Sequence, residues 1–110
     1  MMEISHREIA PATVVIALAG KLMLGPEGDR IVSLVEEFLS HGKRRIVFDL
    51  SGVTVIDSTG IGRFISSFHK IAAAGGEMRM AGATGHVLQS FRVSLLDKVF
   101  RFYPSVEAAM

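Results

Sequence analysis

A chain of 110 residues with a formal net charge of +1 and no cysteine has the size of one domain, and its composition excludes disulfides, thiolate metal sites and cysteine nucleophiles. So small a net charge gives no electrostatic reason to expect nucleic acid as a partner. The apolar stretch from Ile9 to Ala19 contains Pro11 and Thr13 and is about half as long as a membrane helix, so no membrane insertion is expected.

The β-branched run Thr13-Val14-Val15-Ile16-Ala17-Leu18, stopped by Gly20, predicts a strand. The segment from Met2 to Ile9 pairs with it as a hairpin across Ala10-Pro11-Ala12. Gly25-Pro26 then opens a helix, with Glu27 and Asp29 in its first turn. Ile31, Leu34, Val35, Phe38 and Leu39 recur at the spacing of one buried helix face, and Gly42 is placed to end it. The basic run Lys43-Arg44-Arg45 reads as a solvated strand edge.

Arg45 to Leu50 is a short apolar run of the kind covered on both faces in an α/β sheet. A brief Val53-Thr54-Val55-Ile56 segment follows and leads into Asp57-Ser58-Thr59-Gly60. There a second helical stripe begins: Ile61, Phe64, Ile65, Phe68, Ile71 and Ala72, closed by Gly75-Gly76. Glu77 to Ala81 alternates as a strand, with Met78 and Met80 turned to the core. Thr84 caps a short helix carrying Val87, Leu88 and Phe91. Val99 to Tyr103 reads as a last strand and Pro104 to Ala108 as a short final helix. The expected order is ββαβαβαβα: an α/β domain with a mixed four- to five-stranded sheet and about four helices.

The stretch Asp57-Ser58-Thr59-Gly60-Ile61-Gly62 holds the most chemistry. Three consecutive oxygen-bearing side chains stand where a strand hands over to a helix, and any of them can cap its unpaired N–H groups. Capping does not account for the two glycines. Gly60 and Gly62 each cost the helix about 0.5–1 kcal/mol relative to alanine. One expectation is that they leave backbone open to the close approach of another molecule. A helix N-terminus also favours negative charge, so a phosphate on Ser58 suits its own helix.

From Phe48-Asp49-Leu50-Ser51-Gly52 through Asp57-Ser58-Thr59-Gly60-Ile61-Gly62, the sequence resembles the STAS domains, in particular the bacterial anti-sigma factor antagonists. The likeness continues through Ala74-Gly75-Gly76-Glu77-Met78, the Gly82 loop and Ser105 to Ala109, which makes residues 1–110 one STAS-like domain. The resemblance implies a cytoplasmic regulator without cofactor or enzymatic activity, monomeric or weakly dimeric. Its implied partners are an anti-sigma factor that is also a serine kinase, and a serine phosphatase acting on the phosphorylated form. Ser58 is the implied phosphorylation site, Asp57, Thr59 and Gly60 its acceptor loop, and Gly62, Arg63 and Met23 the partner-binding residues. Many such antagonists have an acid where this chain has Met23. The alternative within the family is an adaptor, not phosphorylated, of a stress-sensing complex or a lipid transporter.

Other chemistries lack their residues. His6, His41, His69 and His86 have no metal-ligand spacing. Ile56-Asp57-Ser58-Thr59-Gly60 lacks the leading glycine of a nucleophile elbow, and no glycine precedes Lys-Ser or Lys-Thr as in a phosphate-binding loop. An opening hairpin also differs from the strand-then-helix start of proteins that phosphorylate an aspartate.

Overall fold

The hairpin expected at the start is formed by β1 (Met2–Ala10) and β2 (Thr13–Leu22), joined through Pro11 and Ala12. The computed structural model describes residues 2–23 and 25–110. After the hairpin come α1 (Pro26–Ser40), β3 (Arg45–Ile56), α2 (Ser58–Ala73), β4 (Glu77–Ala81), α3 (Gly85–Val93) and β5 (Arg101–Tyr103). The sheet order is β1-β2-β3-β4-β5. Only β1 is antiparallel to its neighbour; β2 to β5 run parallel. This is the expected mixed α/β architecture with five strands.

The helices share one face of the sheet because their apolar stripes meet one set of strand residues. Ile31, Val35 and Phe38 of α1, Phe64 and Ile71 of α2, and Val87 and Phe91 of α3 join Val14, Ile16, Ile46, Phe48 and Met80 in the main core. Within it Phe64 meets Phe48 edge-on at 5.1 Å between ring centroids and Phe91 at 5.8 Å. The opposite face is covered by less chain: Val15, Val47 and Ala81 pack under Val106 and Ala109.

Several expectations are corrected. Residues 104–109 form turns, so the described residues hold three α-helices and one 3-10 turn (Leu96–Lys98) rather than about four helices. The last strand starts at Arg101 rather than Val99, because the Val99 and Phe100 N–H groups donate back to the Leu96 carbonyl of that turn at 3.1 and 2.8 Å. The turn follows Leu95, a non-glycine residue at φ 61°, a left-handed conformation that interrupts regular structure.

β3 is one continuous strand of 12 residues, not two segments. Ala17 pairs with Asp49 but Ala19 with Gly52, and Gly20 pairs with Val53 but Lys21 with Val55. Each shift inserts one extra residue into β3, a bulge that resets which side chains face inward. Ile46, Phe48, Leu50, Val53 and Ile56 therefore all reach the same core.

The basic run is not all solvated either. Lys43 is buried, its ammonium donating to the Pro11 carbonyl at 2.8 Å and pairing with Glu8 at 3.0 Å. Thr84 stands at the N-cap of α3 but its side chain makes no capping bond. The side chain of Glu27, expected to act in the first turn of α1, lies outside the described residues.

Candidate functional site

The parallel strands β2 and β3 end together: Leu22 pairs with Ile56, so Met23 and Asp57 leave the sheet side by side. The carboxyl end of parallel strands is where α/β folds commonly place ligand sites. Here the chain turns into α2 within a single residue. Asp57 has extended backbone, and its Oδ1 accepts the Gly60 N–H at 2.9 Å. Its own N–H donates to the Leu22 carbonyl at 3.2 Å, and its carbonyl accepts the Ile61 N–H at 3.0 Å. Of the three candidate caps, Asp57 is the one used.

That assignment places the neighbouring side chains. Ser58 becomes the first residue of α2 and is exposed, and Thr59 is half-buried. The first turn of α2 holds no acidic residue. The Asp57 carboxylate at the N-cap is thus the acid that meets the partial positive charge of the helix end, and an anion on Ser58 would share that end with it. Met23 is 45 % exposed at the same rim, a large apolar side chain in solvent.

The two glycines have different reasons. Gly60 is buried, and a Cβ there would collide with the Leu22 carbonyl oxygen and meet Ile56 Cγ1 at 3.0 Å. Its missing side chain lets α2 start directly against the end of β2. The idea that both glycines open the backbone to a partner therefore fails at Gly60. At Gly62 a Cβ would meet nothing within 4 Å, so packing within the domain does not require that glycine.

Arg63 is one turn into α2 but reaches across to α1. Its Nη2 pairs with Asp29 Oδ1 at 2.9 Å, and its Nε is 2.9 Å from where a Cβ of Gly28 would be. The guanidinium thus lies over Gly28 and ties the starts of two helices together. Gly28 and Asp29 were not singled out as site residues from sequence. The signal that could have found them is Gly28, a glycine in the first turn of a helix, where the missing side chain lets another group pass close by.

Met23, Asp57, Ser58 and Thr59 are gathered at one rim, with Gly62 on the open side of α2 and Arg63 turned toward α1. Among the described residues no cluster of three or more His, Asp or Glu side chains could hold a metal ion. Among them, too, no helix is long and apolar enough to cross a membrane.

The family model of the STAS domain matches residues 6–109. The chain belongs to the STAS domain family. Within that family, a Thermotoga maritima protein assigned to the anti-sigma factor antagonists is 28 % identical over 75 residues, covering 68 % of this chain and 66 % of the relative. The chain thus spans just under two thirds of that relative's length. A crystal structure of a Thermotoga maritima protein with the same assignment superposes with a TM-score of 0.87 at 23 % identity, covering 97 % of this chain and 91 % of the other. The phosphorylated form of SpoIIAA, a cell fate determinant of Bacillus, gives a TM-score of 0.77 at 18 % identity over 97 % of this chain and 96 % of that one. At these identities the solved structures show a shared STAS fold.

Proposed function

We propose that this STAS domain is an anti-sigma factor antagonist that works in the cytoplasm by partner switching. In its unmodified form it binds an anti-sigma factor that is also a serine kinase, and so frees a sigma factor for transcription. Phosphorylation of Ser58 releases it, and a serine phosphatase resets it. On this reading the chain acts by binding, not by catalysis.

The observation that carries the reading is the placement of Ser58: exposed, first in α2, and beside a cap that Asp57 makes with Gly60. A phosphate there adds a charge of about −1.5 to −2. The helix end tolerates it, so the fold survives modification. A partner packed against the same rim would have to bury that charge, which is expensive. A penalty of about 3 kcal/mol weakens binding by more than about a hundredfold. Incubation with the serine kinase and ATP, followed by mass spectrometry, tests the assignment; phosphate on any residue other than Ser58 contradicts it.

A second reading, a STAS adaptor that is not phosphorylated, is favoured by one feature. Met23 places an exposed apolar side chain at the rim, a surface suited to permanent packing rather than to a charge switch.

A further inference from the structure

The outer edge of the sheet plays no part in the switch proposed at Ser58. Among the described residues β1 has β2 as its only neighbour, so every second residue along it turns a backbone N–H and C=O away from the sheet. Edges of this kind are commonly blunted by proline, by charged side chains (lysine above all) or by a bulge. Between Met2 and Ala10 there is no proline or lysine, and the one register shift lies at the far end, between Glu8 and Ala10.

We propose that β1 is a self-association edge, pairing antiparallel with β1 of a second copy of this chain about a two-fold axis through Ser5. Two-fold pairing of identical strands must set residues of equal parity opposite each other, because both must present their hydrogen-bonding groups outward. Among such registers, the one centred on Ser5 sets Glu3 opposite Arg7 of the second copy, and Arg7 opposite its Glu3. Centring on Ile4 sets Glu3 against Ser5, and centring on His6 sets Arg7 against Ser5. Neither makes an ion pair. Met2 and Ile4 pack toward the core, so Glu3, Ser5 and Arg7 share the opposite face of the strand. Neither Glu3 nor Arg7 has an ion-pair partner among the described residues, whereas the next charge, Glu8, is held by Lys43.

The helix layer supplies an independent match. A groove beside β1 is lined by Ile4, Arg30, Ser33, Leu34 and Glu37. The same axis brings two α1 helices side by side and antiparallel, with the middle of each groove near Ile4. Arg30 and Glu37 lie on either side of Ser33 and Leu34, so Arg30 of one copy approaches Glu37 of the other. These two residues also lack ion-pair partners within the described chain. Four charges that form no ion pair among the described residues are thus each matched by symmetry with the opposite sign. Charge complementarity of this kind selects register and partner.

Sedimentation equilibrium on the full chain, without an N-terminal tag, tests the proposal with Glu3→Arg, Arg7→Glu and an equimolar mixture of the two. Either variant alone turns both cross-strand pairs into like-charge pairs and weakens self-association at least about tenfold. The first variant carries arginine at both positions and the second carries glutamate at both. Pairing one with the other therefore makes both cross-strand pairs opposite again, and the mixture restores dimer. Native chain that stays monomeric up to about 1 mM, variants that associate as the native chain does, or a mixture without rescue would each overturn it. The idea does not rest on Ser58: Ser58→Ala dimerises like the native chain even if the switch reading fails.

Discussion

The carbonyl oxygen of Leu22 occupies the space that a side chain at residue 60 would need, and it also accepts the N–H of Asp57 at 3.2 Å. One backbone atom at the end of β2 therefore fixes both the cap and the first turn of α2. The exposed Ser58 lies between them, so its backbone position is set by buried backbone rather than by a loop.

Gly60→Ala forces its methyl group into the Leu22 carbonyl and Ile56, and neither is the flexible end of a side chain. The expected loss is about 2 kcal/mol or more. Gly62→Ala enters open space on the same helix and should gain up to about 1 kcal/mol from the improved helix propensity. Urea unfolding midpoints for the two variants check this opposite pair of signs.

Asp57→Ala removes the oxygen that accepts the Gly60 N–H and should lower stability by about 1 kcal/mol. Asp57→Asn keeps an acceptor at the same place and should retain most of it. If the two variants unfold at the same denaturant concentration, the cap is not what holds the turn.

Phe64 is fully buried and joins the rings of Phe48 and Phe91. Phe64→Ala should cost about 3–5 kcal/mol, a large share of the roughly 5–15 kcal/mol that stabilises a domain. Thermal unfolding followed by circular dichroism would show a strongly lowered midpoint or no cooperative transition.

The opening hairpin, most of the helix stripes and a cap among Asp57, Ser58 and Thr59 were legible in the sequence because each depends on residues close together in the chain; Ile65 and Ala72, expected in the second stripe, are exposed. The strand Arg45–Ile56 was not, because its two bulges break the alternation that marks a strand. Gly60 and Lys43 were misread for a related reason. Their surroundings come from Leu22 and Ile56 in one case, and from Pro11 and Glu8 in the other. Local pattern records that a glycine is present but not what presses against it. Arg63 showed a charge near the site but gave no sign that Asp29 would take it up.

Ser58→Asp places a negative charge at the start of α2, where the first turn has no acid of its own. Stability should stay within about 0.5 kcal/mol of the native chain or rise slightly. A fall of several degrees in Tm would mean that a charge at this position disturbs the domain itself, and that release need not act at an interface.

On the partner-switching proposal, phosphate on Ser58 changes partner binding while leaving the fold in place. Titration calorimetry of the serine kinase with native chain, and with chain phosphorylated at Ser58, measures this directly. Binding should weaken by more than about a hundredfold on phosphorylation. Equal affinity of the two forms for the kinase would contradict it.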